Sequence, residues 1–430
     1  MRPRYRSDFD ADEHVKPEFW FANGEPSTEM TGSGDLAIFK MPGSLFRNVL
    51  SEARLCGEVD LDSDQRAIFA ISQDGFSVSM RRRSVFARAR VPLVDAAAII
   101  PTSEISFEYP LALIDRLVEN TTVIAQRIET HTQNWGVRVL PGHANINLTL
   151  SEPDPGDIKP WRIADRRLVA KVDPKVLREA LTFAALGANK GGAGQFSSVE
   201  IKDGVARGCS LNAIACASAE ALVGVVLSLA ANDVPHACRI LKRMNPQDTQ
   251  LWEAGEFRFI TSGNLELAVM IPKVSQPTIP ASLTSPFDDA IELKQDPLLL
   301  GLGIAGPLGG KGFKVELDFE RQDERVLWKA QNARGRFSHG APILLAEEAD
   351  GLSEQDGERA GARPERLQPL AGRVDHQAIE RVLAAMKFPE KVKLKATRNM
   401  LMLEGAHDGL QLRAALSTLG GDDDDVSNKE

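Results

Sequence analysis

Cysteine is scarce in this sequence. The four that occur, Cys56, Cys209, Cys216 and Cys238, form no C-x-x-C element and have no histidine cluster beside them. That argues against a zinc site and predicts buried, reduced thiols. Histidine is equally thin: His14, His131, His143, His236, His339, His376 and His407 are scattered, none is paired at ligand spacing, and no H-E-x-x-H occurs. There is no G-x-S-x-G nucleophile elbow. The glycine-rich stretch GIAGPLGGKG (303–312) fails the phosphate-loop template, because Ala305 stands at the first glycine position and Gly312 follows Lys311 where a hydroxyl should meet Mg²⁺. Nothing points to catalysis, a metal or a cofactor, so a non-enzyme is expected. No apolar run approaches the ~20 residues that cross a bilayer. The opening MRPRYRSDFDADEH lacks the apolar core of a signal peptide. A cytoplasmic protein without a membrane partner is expected.

What is present is size and an acidic balance. At roughly 150 residues per domain, 430 residues correspond to about three domains. With 43% hydrophobic and 26% charged residues, each can bury a core. A net charge of -9 argues against nucleic acid gripped over the whole surface, and leaves room for a basic surface on one side.

The organisation is repetitive. Six segments share one sketch: a short strand, an amphipathic helix, then strands with tight turns. The helices are expected to begin near Met41, Tyr109, Val172, Asp233, Gln295 and Val374, at intervals of 68, 63, 61, 62 and 79 residues. Most carry Pro or Asp at the first turn, where a missing N–H costs nothing and a carboxylate meets free amides. Apolar stripes follow at helical spacing: Val176, Leu177, Ala180, Leu181 and Ala184; Val234, Ala237, Leu241 and Met244; Ile379, Val382, Leu383 and Met386. Alternating runs read as strands, with hairpin turns at Asp74-Gly75, Asp203-Gly204 and Asp408-Gly409.

Two βαβββ units make one domain, so an α+β protein of three similar domains is expected, at 34–152, 162–273 and 287–420. A flexible insertion is expected at 347–369, and disorder over 1–33 and in the acidic tail 421–430, whose Asp422 to Asp425 read as solubilising.

This layout, over roughly 34–420, resembles the bacterial β sliding clamp, the processivity subunit of a replicative DNA polymerase. The segment FSSVEIKDGVARGCSLNAIACASAEAL is the part most similar to that family. The resemblance implies the DNA-clamp fold and a head-to-tail homodimeric ring. Double-stranded DNA would thread the ring without sequence reading. A DNA polymerase or repair enzyme would be tethered, and an ATP-driven clamp loader would open the ring. It also implies a partner-peptide pocket at Ser210, Asn212, Ala213, Ile214 and Ala215. Typical members carry Thr-Asp-Gly-His-Arg-Leu-Ala there, whereas this chain reads Ser210, Leu211, Asn212, Ala213, Ile214, Ala215, Cys216. The acidic end after LRAALSTL also departs from the family.

A lining for DNA needs cations opposite the apolar stripes, because phosphates supply non-specific, salt-sensitive affinity. Candidates are Arg47 and Arg54 in the first unit, Arg116 in the second, Lys175 and Arg178 in the third, Arg239, Lys242 and Arg243 (with His236) in the fourth, and Arg381 and Lys387 in the sixth. Solvated helix faces would look the same. The fifth helix, DPLLLGLGIAGPLGG, offers no cation and reads as a poor helix. The run Arg81-Arg82-Arg83 sits on a strand or hairpin and reads first as a solvated face, with contact to DNA or a partner as the alternatives. A competing reading keeps the clamp fold as a protein-interaction scaffold that encloses no DNA.

Overall fold

In a computed structural model, the described residues are 36–41, 66–72, 75–91, 105–110, 121–127, 134–141, 146–151, 160–190, 194–273, 277–279, 283, 287, 290–306, 315–332, 335–344, 370–386, 391–397 and 399–418. Outside them lie Arg47, Arg54, Arg116, Lys387 and Cys56, the first two expected helices, the 347–369 insertion, both chain ends and most of the glycine-rich stretch.

In chain order the strands are β1 (Leu36–Met41), β2 (Arg66–Ser72), β3 (Gly75–Arg82), β4 (Val85–Val91), β5 (Ile105–Pro110), β6 (Thr121–Arg127), β7 (Asn134–Pro141) and β8 (Ile146–Ser151). Next come β9 (Arg167–Lys171), β10 (Ser198–Lys202), β11 (Val205–Cys209), β12 (Ala213–Ser218), β13 (Leu227–Ala230), β14 (Gln250–Ala254), β15 (Phe257–Ser262) and β16 (Leu265–Met270). The last are β17 (Ile291–Lys294), β18 (Glu316–Gln322), β19 (Arg325–Asn332), β20 (Gly335–Pro342), β21 (Ala371–Asp375), β22 (Lys391–Thr397), β23 (Met400–His407) and β24 (Leu410–Ser417). The described α-helices are α1 (Pro174–Ala184), α2 (Val234–Leu241), α3 (Gln295–Ala305) and α4 (His376–Ala385). None is long and apolar enough to cross a membrane.

The strands form four sheets: β1-β6-β7-β8, β5-β2-β3-β4-β16-β15-β14-β9, β13-β10-β11-β12-β24-β23-β22-β17 and β20-β19-β18-β21. Two regularities run through them. Each group of three consecutive strands takes its fourth from the other member of its repeat pair, so β1 joins β6–β8 while β5 joins β2–β4. Each eight-stranded sheet is made where last strands meet, β4 against β16 and β12 against β24, both antiparallel. The chain divides into two compact units, Met1–Pro174 with Pro235–Ile271 and Lys175–Val234 with Pro272–Glu430, and each holds one eight-stranded and one four-stranded sheet.

Tight turns set the register. Lys202 faces Val205 across Asp203-Gly204, and His407 faces Leu410 across Asp408-Gly409. Their φ values of 53° and 78°, and of 47° and 79°, are both left-handed, as a two-residue hairpin matching strand twist requires. The first hairpin runs one residue off expectation, because Gly75 already belongs to β3, opposite Ser72.

The helices form where the stripes lie. Leu177, Ala180, Leu181 and Ala184 of α1 are buried, as are Val234, Ala237 and Leu241 of α2 with Met244 beyond it, and Ile379, Val382, Leu383 and Met386 at α4. Asp375 caps α4, its Oδ1 accepting from Ala378 N at 3.0 Å. The α3 segment is helical over 11 residues despite its glycines. A Cβ on Gly301 would stand 2.3 Å from the His339 ring on β20, so the glycine admits a close contact rather than ending the helix. Helices α3 and α4 are joined reciprocally: Gln295 Nε2 donates to Leu383 O and His376 Nε2 meets Leu302 O, both at 2.7 Å.

Candidate nucleic-acid interface

The candidate cations differ in how they are held. On α1, the Lys175 ammonium sits 2.7 Å from Asp408 Oδ2 at the β23–β24 turn. Arg178 is half-buried, 3.7 Å from Glu179. Both cations are therefore already partnered, Lys175 by Asp408 of the sixth repeat and Arg178 by its neighbour Glu179. A donor cluster of Glu179, His407 and Asp408 lies there with its ligand atoms within 4.8 Å of one another. The Lys175 ammonium takes the place of a cation on Asp408.

On α2, His236 is buried, only 7% exposed, and not on the polar face that its residue type suggests. Its Nδ1 meets the guanidinium of half-buried Arg239, which is turned along the helix. Lys242 and Arg243 follow immediately and are exposed. Their place at the helix C-terminus suits cations. On α4, Arg381 is exposed and donates to Gln377 Oε1 at 3.0 Å. Helix α3 presents Asp296, Leu300, Gly303 and Ile304 to solvent, with Leu300 66% and Ile304 59% exposed. Lys242, Arg243 and Arg381 are thus the expected lining residues that the described structure leaves open to an anion.

The candidate pocket segment spans a sharp turn into β12. Ser210 N donates to Ala213 O at 2.8 Å, and Ala213 N donates to Ser210 Oγ at 3.1 Å. Leu211 and Asn212 are exposed at its tip. Asn212 O accepts from Ser417 N at 2.9 Å, so the turn also secures the end of β24. Strand alternation then divides the candidates. Ile214 packs on a cluster of Cys216, Ile279, Leu283, Phe287, Met402 and Ala415. Ala215 is buried at the close approach of Gly187, whose added Cβ would stand 2.4 Å from Ala215 N. Ile214 and Ala215 therefore point to opposite faces of the sheet.

That cluster covers the β12–β24 seam with residues of the 272–290 connection. Sequence reading took this stretch as a boundary only. The signal was there, since Ile279, Leu283 and Phe287 recur every four residues between prolines. The β4–β16 seam is covered likewise: Trp161 and Ile163 pack on Phe86, Ala254, Phe257, Phe259 and Ala268. Arg166 fastens this cover, its guanidinium 3.8 Å from the Phe259 ring centroid and 3.0 Å from the buried Glu266 carboxylate.

A row of opposite charges crosses the β12–β24 seam. In register across seven strands run Glu200, Arg207, Cys216, Arg413, Glu404, Lys393 and Glu292. Arg207 Nε donates to Glu200 at 3.0 Å and Arg413 Nε to Glu404 at 2.7 Å. Burial pushes the central Cys216 thiol up to about 11, outweighing the pull of Arg207 and Arg413. Cys209 is raised for the same reason. Cys209 and Cys216 are buried thiols outside any disulfide, as expected, whereas Cys238, also outside any disulfide, is only half-buried.

No protein-family model matches the chain, and no curated protein does. Solved structures do. The DNA polymerase sliding clamp of Pseudomonas aeruginosa, with ligand, is 13% identical at a TM-score of 0.65, covering 90% of this chain and 100% of that one. The C. crescentus β sliding clamp reaches 0.67 at 11% identity, covering 91% of this chain and all of that one. A putative DNA polymerase III β subunit from Eubacterium rectale reaches 0.67 at 10%, covering 90% of this chain and all of its own. At such identities the likeness shows the fold: the chain has the α+β fold of the bacterial β sliding clamps.

Proposed function

We propose that this chain is a diverged sliding clamp, a non-catalytic tether whose three two-repeat domains (34–152, 162–273 and 287–420) form half of a ring around duplex DNA. One observation carries the reading. Last strands pair with last strands at β4–β16 and β12–β24, and two last strands, β8 and β20, remain as edges of the four-stranded sheets. Pairing β8 of one chain with β20 of a second would complete a third kind of eight-stranded sheet. Repeated twice, head to tail, it would close a homodimer in which every last strand is paired with another last strand.

In this reading Lys242, Arg243 and Arg381 meet phosphates, and Lys175 and Arg178 contribute less because acids hold them. Affinity per contact stays low, because leaving DNA requires opening the ring. A polymerase or repair enzyme docks at the β12–β24 seam beside Ser210, Asn212 and Ile214. A separate ATP-driven loader opens the ring in the cytoplasm. The scaffold reading is favoured by the apolar exposed face of α3, which offers a protein more than it offers DNA.

The test is solution mass by light scattering, followed by loading on nicked circular duplex. A two-chain mass, with retention on the circle lost on linearisation, is the expected result. A single-chain mass at micromolar concentration would move the assignment to the scaffold.

A further inference from the structure

Among the described residues, four non-glycine residues have a left-handed backbone: Arg83 (φ 50°), Asp203 (53°), Asp323 (49°) and Asp408 (47°). All four sit at two-residue hairpin tips. Aspartate suits the position, because its short side chain bonds local backbone there. Arginine has no such advantage, and a residue held where its type fits poorly points to a use.

The chain contains its own control. At the β3–β4 tip Arg81 Nε donates to Arg83 O at 3.2 Å. At the β18–β19 tip Arg321 Nε donates to Asp323 O at 3.5 Å. The turn and its brace are built twice, once around arginine and once around aspartate, so the turn itself does not require Arg83. Arg81 is further held with its guanidinium 5.3 Å from the Phe86 ring centroid. The braced tip leaves Arg83 exposed, and it has no carboxylate partner among the described residues.

The surroundings select the class of ligand. At this end of the sheet stand Arg81, Arg82, Arg83 and Arg258 against Glu253 and Glu256, and Glu253 is already shared between Arg167 and Arg258. Among the residues of β3 and β4 whose side chains are described, none is a large exposed apolar one, and the single such side chain described near Arg167 is Leu168 on β9, 48% exposed. A protein partner needs apolar anchors, whereas a phosphate backbone needs only fixed cations. We infer that Arg83 is a DNA-phosphate contact carried by a hairpin tip, separate from the helix cations. The inference rests on the reading of the chain as a DNA-enclosing clamp.

The experiment compares the full chain, Arg83→Asp, and Lys242→Ala/Arg243→Ala. Binding to a short fluorescent duplex is followed as salt rises, and melting temperature is recorded for each. Arg83→Asp installs the residue used at the sister turn. It should melt at the same or a higher temperature while the log–log salt slope falls by about one. An unchanged slope, with a reduced slope in Lys242→Ala/Arg243→Ala, would overturn the Arg83 assignment and leave the clamp reading standing. No slope change in either variant would remove the clamp reading and this inference with it. A lowered melting temperature would make Arg83 a structural residue. Loss of polyglutamate binding with duplex binding intact would reassign the tip to an acidic protein.

Discussion

Replacing Glu404 by glutamine tests how far the charge row supports the β12–β24 seam. Arg413 Nε donates to Glu404 at 2.7 Å, and the two side chains are only 10% and 9% exposed. Lys393 adds a second cation 3.6 Å from the other oxygen. Glutamine keeps the shape and one acceptor oxygen but leaves a buried guanidinium without a counter-charge. Breaking one side of a buried pair costs about 3–5 kcal/mol, and the surviving hydrogen bond to a charged donor returns about 1.5 kcal/mol. A loss of roughly 2–3 kcal/mol is expected, or about 5–10 °C in melting temperature for a unit of this size. Glu404→Leu with Arg413→Met should cost much less than the single change, since both desolvation penalties disappear together. Calorimetry and urea midpoints at unchanged m-value would measure both. A single-mutant loss under about 0.5 kcal/mol would mean that the pair is effectively solvated. A double mutant worse than the single would mean that the row is a net source of stability.

Two further outcomes follow from ionisation. The Cys216 thiol, pushed up to about 11 by burial, should resist alkylation at pH 8 in the native protein and react on unfolding, and its contribution to stability should fade as pH rises past the unfolded thiol value toward 11; mass spectrometry of the labelled peptide reads the first, and equal labelling of folded and unfolded chains would refute it. The Arg167 hydrogen bond, aided by the Arg258 charge, holds Glu253 below the usual carboxylate value. The stability it gives is therefore complete above the unfolded pKa and lost as pH falls through the folded one, so Glu253→Gln should lower the melting temperature slightly at neutral pH, leave it unchanged below the folded pKa, and so flatten the acid limb of the profile.

Much of the fold was legible because its signals are local. Asp203-Gly204 and Asp408-Gly409 specify their turns within two residues, and the stripes from Leu177 to Ala184 and from Ile379 to Met386 specify buried helix faces. The rest depended on partners distant in sequence. Lys175 reads as a free cation until Asp408, 233 residues later, is placed beside it. His236 reads as polar, yet its position on α2 buries it. The glycines of α3 read as helix breakers because nothing nearby announces that His339 will press against Gly301. Alternation identified β1 and β5 as strands but carried no information about which sheet each joins.

The exchange of first strands between paired repeats bears on how the chain is made. A single βαβββ unit emerging from the ribosome holds three strands of one sheet and one strand of another, so it cannot complete either. The smallest piece able to close a four-stranded sheet is a pair of repeats, and each pair must wait until its later strands have been synthesised. The long loops this imposes slow folding and prolong the exposure of unpaired edges. A truncation or fusion should therefore cut between pairs to leave a foldable product.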